Sequence, residues 1–231
     1  MIKSRFIILL SALLLAMSSC TIKQDIHFKE DMSGSNTMTF DYAETKSLLG
    51  GFGDMGESGD EDNPLDFSDG IMDEESINEY NNGINIKDGL SNPHMTESND
   101  AIVFGFDFDN LDALMSFYED AQEGGEGIES GLSQSWLAFN KNKKKMEVTM
   151  DYSVFEELFE DDEMADMKGM AEMMYESFVF DLNLTFDQEI KKVKGEGLGV
   201  YDESSNSVRY NFNLSDIMDK KGSETLVIKF K

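Results

Sequence analysis

Three side-chain clusters in this sequence could do chemistry. The first is acidic. Asp60, Asp62, Asp66 and Asp69 lie within residues 47–86, a stretch without a single Lys or Arg. Ca²⁺ takes about six to eight oxygen ligands, so these carboxylates are candidates for it. The EF-hand spacing fails, because Pro64 follows Asp62 and Leu65 stands where that loop needs glycine. A self-repelling, solvated loop is the simpler account. The second cluster is sulfur. The chain has 16 methionines, with Met164, Met167, Met170, Met173 and Met174 close together. Thioethers suit Cu(I). However, Met164, Met167, Ala171 and Met174 follow helical spacing and read first as a core stripe. Methionine also lines adaptable grooves. Met164, Met167, Met170 and Met174 are therefore candidate ligand-lining residues, for an apolar ligand before a metal. The third cluster is basic: Lys141, Lys143, Lys144 and Lys145. It reads as a solvated hairpin tip, with lipid headgroups or the chain's own acidic loops as the alternative contact.

Catalytic signatures are missing. No GxSxG, HExxH or phosphate-cradling glycine loop is present. His27 falls on the polar face of a strand and His94 sits beside Pro93, so neither is placed as a general base. No enzyme activity and no cofactor are expected. Composition narrows the field further. The chain has 231 residues with 47 acidic and 19 basic ones, for a net charge of −28. That charge repels phosphate backbones and excludes nucleic acid as a general partner. A lone Cys excludes an internal disulfide and a multi-Cys zinc site. The length suits one domain with a real core.

The lone Cys has a telling position. Lys3 and Arg5 precede an apolar run from Phe6 to Met17, and Ser18, Ser19 and Cys20 follow. A bilayer span needs about 20 apolar residues, so this run is too short to cross and fits a signal-peptide core. The Met17-Ser18-Ser19-Cys20 ending resembles the lipobox of bacterial lipoproteins, with Met17 where Leu is usual. The relaxed third position resembles lipoproteins of the Bacteroidota. The resemblance implies cleavage before Cys20 and acylation of its sulfur and nitrogen, palmitate-type chains included. Residues 1–19 are then a signal peptide, and residues 20–231 a single domain carrying an acidic, Gly-rich loop at about 50–80. Thr21 is not the Asp that retains enteric lipoproteins at the inner membrane, which favours the outer membrane.

The body must position these groups, and it alternates with period two. Ile22, Ile26 and Phe28 share one face, and Met38, Phe40 and Tyr42 another, giving a hairpin over 21–42. Further strands follow at Ile102–Phe108, Met146–Tyr152, Phe178–Phe186, Val208–Leu214 and Leu226–Phe230. Helices are predicted at 109–122, capped by Asp109 or Asn110, at 153–160, at 162–176, and briefly near 215–220. The predicted fold is α+β: one antiparallel sheet of about eight strands with helices on one face, built of repeated ββα units. An acylated Cys followed at once by a hairpin with a Ser-Gly turn resembles the LppM-type lipoprotein domains, over residues 20–45 and 182–231. That resemblance implies lipid binding.

The expected function is therefore a non-enzymatic, lipid-anchored envelope protein. It touches the membrane through acylated Cys20 and binds or scaffolds another envelope protein. The alternative is a carrier that holds a lipid or other apolar ligand between helix and sheet. Metal binding, Ca²⁺ or copper, comes third.

Overall fold

The computed structural model describes residues 21–41, 74–98, 100–123, 137–153, 179–195, 197–217 and 220–231. Among these, strand follows strand wherever apolar residues alternate. Strands β1 (Thr21–Phe28) and β2 (Gly34–Asp41) form the expected hairpin, in register from Thr21–Asp41 to Phe28–Gly34. Helix α1 (Glu74–Asn85) leads to β3 (Leu90–Glu97) and β4 (Ala101–Phe108). Helix α2 (Leu111–Glu123) precedes β5 (Leu137–Asn142) and β6 (Lys145–Asp151). Then come β7 (Val179–Phe186), β8 (Ile190–Lys194), β9 (Gly199–Asp202), β10 (Ser207–Asn213), a 3-10 turn (Leu214–Asp216) and β11 (Ser223–Phe230).

The expected single sheet is instead two, and the described residues are mostly β. Seven strands run in the order β3-β4-β2-β1-β7-β10-β9, and four in the order β5-β6-β11-β8. The larger sheet is mixed: β1 pairs with β7 in parallel, while its other pairs are antiparallel. The apolar faces of the two sheets cover each other. Phe28 meets Phe139 at 5.5 Å between ring centroids, and Phe186 meets Phe230 at 5.3 Å. The two described helices cover only part of this face, and the second sheet covers another part. A fully buried Phe contributes about 1.5–3 kcal/mol, and Phe28, Phe104, Phe106, Phe108 and Phe212 are each at most 2% exposed. This aromatic layer is the main source of cohesion.

Both described helices do lie on the apolar face of the larger sheet. Phe117 of α2 packs on Phe106 at 4.5 Å, and Tyr80 of α1 on Phe104 at 5.7 Å. Asn110 is the N-cap of α2, its Oδ1 accepting from the Ala113 amide at 3.0 Å. Helix α1 falls inside the stretch expected to be loop to residue 86. Ile77, Tyr80 and Ile84 give it an apolar stripe that the surrounding charge disguises. The Tyr80 hydroxyl donates to the Gly105 carbonyl at 3.3 Å. Gly105 has no room for a side chain, since a Cβ there would lie 2.6 Å from the His94 ring.

Among the described residues the order ββα occurs twice, as β1-β2-α1, with residues 42–73 between strand and helix outside the described residues, and as β3-β4-α2; β10 leads only to a 3-10 turn, so the expected series of repeated ββα units is not seen. The short helix near 215–220 is the 3-10 turn at Leu214–Asp216. The predicted helices at 153–160 and 162–176 lie outside the described residues, apart from Ser153. No described helix is long and apolar enough to cross a membrane.

Candidate functional site

Most candidates from the sequence fall outside the described residues: Cys20, the carboxylates Asp60, Asp62, Asp66 and Asp69, and the thioethers of Met164, Met167, Met170 and Met174. What is described is the chain directly after Cys20. Thr21 already pairs with Asp41 on one side and Val179 on the other. The histidines are placed. His27 Nε2 lies 2.8 Å from Asp187 Oδ1 in a half-exposed pair. His94 Nδ1 lies 3.5 Å from the Asn92 carbonyl. Among the described residues no three His, Cys, Asp or Glu side chains gather as a metal site.

The basic cluster is described and proves larger than its sequence run. An open groove of about 490 Å³ is lined by Lys144 and Lys145, by Lys191, Lys192 and Lys194 of β8, and by Lys229 and Phe230 of β11. Sequence reasoning missed the β8 and β11 lysines as partners, because only the β6-β11-β8 pairing brings them together. Nine of the chain's 19 basic residues, counting Lys141, Lys143 and Lys231, belong to this small sheet and its ends. The Lys141 ammonium sits 4.3 Å from the Phe230 ring centroid and donates to Gln188 Oε1 at 3.3 Å. Burial pushes the Lys141 ammonium below its ordinary pKa. The Glu189 carboxylate bonded to Lys231 pushes that ammonium up. Lysines at such a site are mobile point charges and offer rotatable donors to an anion.

A second cluster is interior. Gln24 and Asn36, 3% and 0% exposed, project from β1 and β2 into the aromatic core, where Tyr118 of α2 meets them. Burial drives the Tyr118 phenol far above its ordinary pKa. At the other end of the core, Tyr152 donates to Glu224 Oε2 at 2.8 Å, and the Lys220 ammonium bonds the same carboxylate. Burial, then the Glu224 hydrogen bond, raises the Tyr152 phenol. Burial likewise raises Tyr210, whose hydroxyl has no partner among the described residues. Phenols held neutral in this way tie layers together; they are not poised to exchange protons near neutrality.

No protein-family model matches this chain, and no curated protein matches it significantly. Among solved structures, the folded domain of Mycobacterium tuberculosis LppM aligns with a TM-score of 0.38 and 9% identity, over 92% of this chain and 90% of that one. The Fcho1 Mu homology domain of Danio rerio, bound to an Eps15 peptide, aligns with a TM-score of 0.22 and 14% identity, over 92% of this chain and 78% of that one.

Proposed function

We propose that this chain is a lipid-anchored protein of the cell envelope, on the outer membrane, with a non-enzymatic binding or scaffolding role. One observation carries the anchor reading. The lone Cys20 stands directly before Thr21, the first residue of a strand paired on both sides, and directly after a signal-like apolar run. A flexible leader is thus absent between the acylation point and the sheet. Two or more acyl chains, at about 0.8 kcal/mol per buried CH₂, hold a protein on a membrane stably. Among the described residues the strongly shifted groups are phenols kept neutral by burial, which suits a structural or binding role.

The carrier reading ranks second. It needs open space between helix and sheet, and where α2 crosses β4 the Phe106 and Phe117 rings are already 4.5 Å apart.

Metabolic labelling with an alkynyl fatty acid tests the anchor. The wild-type chain should be labelled and fractionate with membranes, and Cys20→Ser should lose both. Unchanged labelling of Cys20→Ser would overturn it. Native mass spectra of the full chain released from mild detergent separate binding from carriage, because a carrier retains an apolar ligand mass that leaves on unfolding.

A further inference from the structure

Lys145, Lys229 and Lys192 stand side by side on three neighbouring strands. Lys229 is in register with Lys145 of β6 and with Lys192 of β8. Residues at one register of a sheet project from one face with Cβ atoms about 5 Å apart, so three ammonium groups share a row. Lys194 extends the charge two residues further along the same face, opposite Val227. Like charges directly opposite destabilise a sheet. The chain carries 47 acidic residues that could neutralise such a row. Here Lys145 alone is paired, with Glu147 of its own strand. Lys144, Lys191, Lys192, Lys194 and Lys229 make no ion pair among the described residues.

Edge protection accounts for part of this. Strand β8 is an edge, and lysines on an edge deter unwanted pairing. It does not account for Lys145 and Lys229, because β6 and β11 are interior strands of that sheet. A repulsive row maintained on interior strands, at the rim of a groove, is what an anion site requires.

We propose that this groove binds a compact, multivalent oxyanion of the di- or triphosphate class. Ammonium groups recognise phosphate oxygens as point charges, and several of them converge here. The volume, about 490 Å³, falls in the range of small-molecule sites. The surrounding charge favours a compact ligand. A net charge of −28 repels an extended polyanion or an anionic bilayer wherever it leaves the groove. A small anion stays within a screening length, about 8–10 Å, of the lysines. Position adds to the argument. Phe230 of the groove touches Phe186, which stacks on Phe28 at 5.2 Å. The groove is therefore at the Phe28 end of β1, about 23 Å along the strand from Thr21, where Cys20 joins. The charge row stands on its own, whether or not Cys20 is acylated.

Calorimetric titration of the full chain in neutral detergent with inorganic triphosphate tests the site. We expect one saturable site that weakens as salt rises. The double variant Lys192→Gln/Lys229→Gln should weaken it about tenfold or more, and Lys23→Gln, on the larger sheet, should leave it unchanged. Without ligand the double variant should melt no earlier than the wild type, since its repulsion is relieved. Should it melt early, Lys192→Gln alone, on the exposed edge, carries the same expectation. Three results would overturn the proposal: no triphosphate binding, binding indifferent to these lysines, or binding only to phosphatidylglycerol vesicles that free triphosphate does not displace.

Discussion

The side-chain amide of Gln24 donates to the Tyr118 hydroxyl at 2.9 Å, joining residues 94 positions apart in the chain. The same nitrogen donates to Asn36 Oδ1 at 2.8 Å. One polar cluster thus ties α2 to the β1–β2 hairpin inside an otherwise aromatic core. Gln24 occupies the face that alternation assigns to apolar residues, between Ile22 and Ile26. A buried amide is costly without partners, and here its partners come from two other elements. The cluster fixes where α2 crosses the sheet, which ring packing alone leaves free to slide.

Tyr118→Phe tests this tie. It keeps the ring and removes the acceptor of one Gln24 N–H, and should cost about 1–3 kcal/mol. Urea denaturation of the wild type, Tyr118→Phe, Gln24→Met and the double variant gives a mutant cycle. The double variant should cost clearly less than the two single costs combined. Additive costs would mean that the two side chains do not interact in the folded state.

Asn206 makes the corresponding tie between the two sheets. Its Nδ2 donates to the Phe186 carbonyl at 2.5 Å and the Gln188 carbonyl at 3.2 Å, and its Oδ1 accepts from the Ile190 amide at 2.8 Å. These bonds hold the short segment where the chain leaves β7 for β8. Asn206 itself has φ +50°, a left-handed conformation that Asn tolerates and Ala does not. Asn206→Ala should lose about 4 kcal/mol, from three hydrogen bonds and the backbone strain. Asn206→Gly loses the bonds but not the conformation, and should recover about 1 kcal/mol of that. Chemical denaturation of both variants measures the difference. An Ala variant as stable as the wild type would show that the crossover is held by other contacts.

The strands legible in the sequence share one property. The seven with strong alternation are β1, β2, β4, β6, β7, β10 and β11, all interior to their sheets. The four without it, β3, β5, β8 and β9, are the four sheet edges. An edge strand packs against less of the core and must deter pairing, so residues such as Pro93, Asn140 and Lys191 interrupt it, and in β5 the apolar face is only Leu137 and Phe139. Missing the edges merged two sheets into one. The parallel β1–β7 pair was equally hidden, because the strands are 150 residues apart and side-chain alternation is the same in either direction. The site followed the same rule. Lys141 to Lys145 were visible as a run, whereas Lys192 and Lys229 joined them only through strand register.

The buried phenols also set how the protein meets high pH. Burial holds Tyr118 and Tyr210 above the ordinary value of 10.0. In the unfolded chain both titrate near that value. Below it neither state ionises them, and they add no pH dependence. Above it the unfolded chain releases protons that the folded chain retains, so stability falls as pH rises. Each phenol that stays neutral contributes a slope of about 1.4 kcal/mol per pH unit. The urea midpoint should therefore hold level up to about pH 10 and then drop. Tyr118→Phe should make that drop shallower by one phenol's slope, even though it lowers stability at neutral pH. The chain has seven tyrosines, so the share of tyrosinate absorbance that Tyr118→Phe removes is the readout, and it should rise together with unfolding, not before it. That share rising first, with the fold intact, would mean that Tyr118 ionises in place and that water reaches the pocket around Gln24.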